Sequence, residues 1–190
     1  SVCVYCASSS KINPRYFEAA RETGRLLAQN GMRCVCGAGN QGLMGTLADS
    51  VLKNGGEVLG VIPRFMIDEG WCHKGLTETI VTADMHERKE RMAQEADAVI
   101  ALPGGCGTME ELFEIITWKQ LGLYLNPIII LNINGFFDPL FQMLERAIEE
   151  NFMRQQHGDI WKVAQTPEEA VELLQTTPVW DASIRKFAAI

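Results

Sequence analysis

With 190 residues, 47% of them hydrophobic and 22% charged, the chain has the make-up of a soluble globular domain able to bury one sizeable core. Its formal net charge of −7 excludes a general nucleic-acid binder, which needs a basic stripe. No apolar run approaches the roughly 20 residues that span a bilayer, and the opening strand lacks the basic start of a signal peptide, so a cytoplasmic protein with no membrane partner is expected.

Read for periodicity, the chain alternates short apolar runs with amphipathic stretches. "VCVYCAS" (2–8) predicts a first strand, and "PRYFEAARETGRLLAQNG" (14–31) a helix with Pro14 at its start and Gly31 at its end. Then come a strand in "MRCVCGAG" (32–39), a helix in "LMGTLADSVLKNGG" (43–56) and a strand in "EVLGVIP" (57–63). Residues 64–84 read as mostly irregular, with Trp71 and His73 among turn-formers. "MHERKERMAQEA" (85–96) predicts a helix, "DAVIALP" (97–103) a strand and "TMEELFEIITWKQLGL" (108–123) a helix. "NPIIILNI" (126–133) is a strand and "DPLFQMLERAIEENF" (138–152) a helix. A short strand near "IWKVA" (160–164) and a helix "PEEAVELLQTT" (167–177) follow. No repeat or linker divides the chain. The alternation predicts a single α/β domain, a doubly wound parallel sheet with helices on both faces.

In such sheets ligands bind at the carboxyl ends of the strands, near the point where strand order reverses. Three loops fall there: residues 7–10, 37–45 and 103–111. Six cysteines read as reduced structural residues, because Cys3 and Cys6 are three apart on one strand and face opposite ways. A reducing compartment follows, and no metal site is expected.

"PGGCGTMEE" (103–111) feeds a helix from a glycine-rich turn, which presents backbone N–H groups and a positive dipole end to an anion. The absence of G-K-[ST] excludes a nucleotide P-loop. Thr108 and Glu111 also fit a T-x-x-E capping box, so Glu111 has a structural reading beside a functional one. "GAGNQGLMG" (37–45) follows the second strand rather than the first, against the usual dinucleotide fingerprint. Its glycines serve either helix–strand packing or ligand approach. In "DMHERKERM", Arg88 and Lys89 stand near a helix start, where the dipole disfavours cations. An anionic ligand would relieve that cost; a solvated face paired with Glu87 and Glu90 is the alternative. His86, without a visible partner, reads as structural.

Together these stretches resemble the LOG family, cytokinin riboside 5′-monophosphate phosphoribohydrolases. "PGGCGTMEE" matches its P-G-G-x-G-T-x-x-E signature, "MHERK" its segment ending in Arg-Lys, and "GAGNQGLMG" its G-G-G-x-x-G-L-M-G. Ala38 departs from the last motif, standing where the family has its middle glycine. The resemblance implies a Rossmann-like homodimer that hydrolyses the N-glycosidic bond of a nucleoside 5′-monophosphate, AMP or an N6-modified adenine nucleotide. No cofactor is implied. Carried over by position, Arg88 and Glu111 are the catalytic pair. Lys89, Gly104, Gly105, Cys106, Gly107, Thr108, Met109, Glu110, Thr117, Ser8, Gly39, Gly42 and Met85 would surround the substrate. Cys106 falls at the variable position and is no proposed nucleophile.

The helix from Thr108 carries Leu112, Phe113, Ile115, Ile116, Trp118, Leu121, Leu123 and Leu125 round most of its circumference. That predicts burial beyond the sheet face, by a partner subunit or by the C-terminal tail. A non-catalytic nucleotide or molybdenum-cofactor carrier is the alternative function, and it would need only the glycine loops. An NAD-dependent oxidoreductase is disfavoured by the missing first-loop fingerprint.

Overall fold

Strand-length apolar runs with no polar alternation have no face to give to solvent. The structure, a computed structural model that describes residues 1–187, buries them on both sides. The strands are β1 (Val2–Tyr5), β2 (Cys34–Cys36), β3 (Val58–Pro63), β4 (Glu78–Thr82), β5 (Ala98–Ala101), β6 (Ile128–Leu131) and β7 (Lys162–Ala164). All pair in parallel, in the order β4-β3-β2-β1-β5-β6-β7. The helices are α1 (Pro14–Gln29), α2 (Gly42–Lys53), α3 (Arg64–Asp68), α4 (Met85–Gln94), α5 (Cys106–Gln120), α6 (Asp138–Glu149) and α7 (Pro167–Thr176). Strand order reverses between β1 and β5, which fixes the switch point of the sheet.

Two cores flank the sheet. One joins Cys3, Tyr5, Val35 and Ile130 to Met92 of α4, Leu112 and Ile115 of α5 and Leu144 of α6. The other joins Val4, Cys6, Cys34, Cys36 and Ile129 to Leu27 of α1, Leu47 of α2 and Val171 of α7. Cys3 and Cys6 thus face opposite sides, as strand alternation requires. Among the described residues no helix is long and apolar enough to cross a membrane.

Three local expectations gain detail or are corrected. Residues 64–84 are irregular over about half their length, and they also hold two unexpected elements, α3 and the parallel edge strand β4. Most of β4 is solvent-facing, so "ETIVT" lacks the apolar run that betrays its neighbours. The capping box is absent, because α5 starts at Cys106 with Gly105 as its cap. Thr108 therefore lies inside the first turn, its side chain buried against Gly104, where an added Cβ would meet Oγ1 at 2.1 Å. Finally, α5 is buried at Leu112, Ile115 and Ile116 but leaves Phe113 exposed, and Leu121 and Leu123 just beyond it are exposed too. Among the described residues the C-terminal tail meets its far end, through Trp180 over Lys119 and Arg185 on the Gly122 carbonyl.

Candidate active site

Loops after β1, β2 and β5 converge at the switch point on a cleft of about 530 Å³. Cys6, Ala7, Ser8 and Ser9 after β1, Gly105, Cys106, Gly107 and Thr108 after β5, and Arg88 and Glu111 all line it. The second glycine loop, Met44, Met66 and Trp71 line the rest.

Two helix N-termini point into this region, and only one is open. At α2 the Ala7 carbonyl accepts from the N–H groups of Leu43 (2.9 Å) and Met44 (3.3 Å). Gly42, at φ +62°, permits that contact, since a Cβ there would meet the Ser8 backbone at 2.4 Å. At α5 the cap residue is a glycine with no side chain to satisfy the first-turn amides. Gly105 and Gly107 have no heavy atom within 4 Å of where a Cβ would sit. The N–H groups of Cys106, Gly107 and Thr108 and the positive end of the α5 dipole therefore offer an anion site.

Arg88 reaches this cleft from α4 and is only 4% exposed. Its Nε donates to the Val61 carbonyl and its Nη2 to the Gly37 carbonyl, both at 3.0 Å. Nη1 is left to approach Glu111 Oε1 at 3.5 Å. Only glycine fits at position 37: a Cβ would fall 1.8 Å from Arg88 Nη2. The Glu111 side chain is 11% exposed. Burial pushes its carboxyl up from the ordinary 4.5 to about 7, with Arg88 opposing that rise. A carboxyl poised near neutrality can both accept and return a proton under physiological conditions.

Of the residues expected round a ligand, Ser8, Gly39, Arg88, Gly105, Cys106, Gly107, Thr108 and Glu111 line the cleft. The others do not. Lys89, next to Arg88 in sequence, points to α5 and pairs with Glu110 (2.8 Å) and Glu114 (3.2 Å). Those carboxylates hold its ammonium above the ordinary lysine range. Glu110 is thereby occupied at the surface, and Met109 packs against the core. Thr117 lies further along α5, donating to the Phe113 carbonyl. Gly104 and Gly42 accommodate Thr108 and Ser8, and Met85 places its sulfur 4.0 Å from Arg88 Nη1. Sequence reasoning missed Asn40, Gln41, Met44, Met66 and Trp71 as lining residues. A lone tryptophan among turn-formers was the available signal.

A family model described as "Possible lysine decarboxylase" matches residues 44–174. A probable cytokinin riboside 5′-monophosphate phosphoribohydrolase of Oryza sativa subsp. japonica is 41% identical over 174 residues, 92% of this chain and 71% of the relative. A cytokinin riboside 5′-monophosphate phosphoribohydrolase of Arabidopsis thaliana is 40% identical over 186 residues, 97% of this chain and 82% of the relative. The chain belongs to the LOG family of cytokinin riboside 5′-monophosphate phosphoribohydrolases. The molybdenum cofactor carrier protein of Chlamydomonas reinhardtii has the same fold, with TM-score 0.70 at 18% identity, covering 92% of this chain and 94% of that one. The molybdenum cofactor binding protein of Rippkaea orientalis matches at TM-score 0.69 and 21% identity, covering 92% and 95%. At that identity the likeness shows the Rossmann-like architecture alone.

The lysine-decarboxylase description of the family model has no counterpart in this LOG-family cleft. Among the described residues no lysine lines it, and Lys89 is bound to two glutamates. At Ala38, the departure from the family motif, the backbone takes a φ of +59°, which glycine adopts freely and alanine does not; nothing in the structure explains the alanine.

Proposed function

We propose that this chain hydrolyses the N-glycosidic bond of AMP and of N6-substituted adenine nucleotides, releasing free base and ribose 5-phosphate. The observation that carries this reading is the buried Arg88–Glu111 pair beside an uncapped helix N-terminus at the switch point. The 5′-phosphate binds the first-turn amides of α5, which puts the ribose next to Glu111. Departure of the base builds positive charge on the anomeric carbon, and a carboxylate at its side stabilises that oxocarbenium-like state. Glu111 then takes a proton from the water whose oxygen bonds to that carbon. Arg88 serves as a fixed cation. Its fork, fixed by two carbonyls, holds Glu111 in place and offers a cation to the phosphate or the departing base.

The molybdenum-cofactor carrier is the weaker reading, since a carrier has no use for a carboxyl tuned near neutrality. The exposed Phe113, Leu121 and Leu123 form an apolar strip on and beyond α5, and we read it as the contact of a homodimer. Six free cysteines fit a reducing, cytoplasmic setting. The test is to incubate the protein with AMP, isopentenyladenosine monophosphate, other nucleoside monophosphates and adenosine, and to separate free base chromatographically. Base release from AMP at least roughly a hundredfold faster than from adenosine is expected, because adenosine forfeits charge-assisted phosphate bonds. No release from any nucleotide overturns the proposal.

A further inference from the structure

Trp71, between α3 and β4, keeps 47% of its surface exposed, an unusual position for the largest apolar side chain. Looseness is not the reason, because its backbone is tied down on every side. Its N–H donates to the Met66 carbonyl and its carbonyl accepts from the Asn40 N–H, both at 3.0 Å. Asn40 Nδ2 holds the Gly70 carbonyl at 3.0 Å, and Cys72 pairs antiparallel with Gly39. The His73 N–H donates to the Ala38 carbonyl at 2.8 Å. The His73 ring is clamped too: Nδ1 accepts from the Gly75 N–H at 3.0 Å while Nε2 meets Asp49 at 2.9 Å. The segment is thus zipped to the second glycine loop, with its indole left against the cleft.

A chain of contacts joins the two glycine loops across the cleft. Glu111, on the same helix as the open amides of α5, meets Arg88, whose Nη2 rests on the Gly37 carbonyl. Two residues on, the Gly39 N–H lies 3.0 Å from the Met44 sulfur, and Asn40 carries the strap that holds Trp71. Trp71 thus lines the cleft together with two thioethers, Met44 and Met66, as polarizable apolar surface.

We infer that Trp71 is the stacking surface for the nucleobase, and that this wall sets base preference. Stacking scales with the area of the flat ring, so purines bind better than pyrimidines, and an apolar substituent on the base gains further contact with the thioethers. This inference rests on the proposed reading of the cleft as a nucleotide site, and binding can test it separately from turnover.

The experiment measures calorimetric binding of AMP, CMP and ribose 5-phosphate in a Glu111→Gln background, which holds AMP intact. Trp71→Ala and Trp71→Phe are then added in turn. Trp71→Ala should weaken AMP roughly ten- to a hundredfold, leave ribose 5-phosphate within about twofold and shrink the preference for AMP over CMP. Trp71→Phe should retain most of the affinity. Equal losses for AMP and ribose 5-phosphate would mean that Trp71 only shapes the loop, and would overturn the inference. So would unchanged AMP binding, or no AMP binding before Trp71 is altered. A base-dependent loss, with no base released by the parental protein that keeps Glu111, upholds the stacking wall and overturns the hydrolase reading. Base release indifferent to Trp71 does the reverse.

Discussion

Glu111→Gln separates the structural burden of the buried carboxyl from its chemical use. In the folded protein the carboxyl titrates at about 7 instead of 4.5, chiefly because burial disfavours its charge. Between those values the native state holds a proton that the unfolded chain has released. Stability therefore falls as pH rises through that window and levels off above about 7. At roughly 1.4 kcal/mol for each tenfold change in proton affinity, the full burden is about 3 kcal/mol. Glutamine keeps the shape and does not titrate. Urea unfolding at pH 5 and pH 8 should show the variant gaining most of that about 3 kcal/mol on the parent between the two conditions. Base release should meanwhile drop roughly a hundred- to ten-thousandfold, and parental activity should rise as pH passes through about 7. Parallel stability curves for the two proteins would refute the burial argument. Turnover within a few-fold of the parent would refute the catalytic one.

Three further perturbations probe the support of the site. Gly37→Ala places a methyl 1.8 Å from the present position of Arg88 Nη2, so activity should fall at least about tenfold with neither proposed catalytic side chain altered; unchanged kinetics would show the fork to be dispensable. Ala38→Gly relieves a left-handed φ of +59° at some cost in unfolded-state entropy, and should raise stability by about 0.5–1 kcal/mol, roughly 2 °C in Tm. Sedimentation at micromolar concentration should show a dimer that Leu123→Asp weakens, since that side chain is 63% exposed; a fully active parental monomer would refute the interface.

The buried strands and most of the helices were legible because burial on two faces leaves a continuous apolar run, and because Pro and Gly mark helix ends. β4 was not, since an edge strand facing solvent has no such run. Adjacent letters also concealed opposite fates. Arg88 and Lys89 sit about 100° apart on α4, which sends one to the strand ends and the other to the acids of α5. Trp71 acquires its place through hydrogen bonds to a loop some thirty positions earlier, a pairing that no local pattern encodes.

The glycines show most clearly why the site was half-readable. Sequence marks every one of them as a point of close approach, but not what approaches. Gly37 makes room for a guanidinium, Gly42 for the Ser8 backbone and Gly104 for the Thr108 hydroxyl, so all three serve the protein's own packing. Gly105 and Gly107, embedded in the same run, face no protein atom within 4 Å. Both glycine loops also lead into helices, and the Ala7 carbonyl caps one of them while the other stays uncapped. Of these two helix starts, that of α5 is therefore the one with backbone amides open to an anion. Glu111, five residues on along that helix, is the carboxyl that the proposed mechanism sets beside the ribose of a nucleotide whose phosphate is held there.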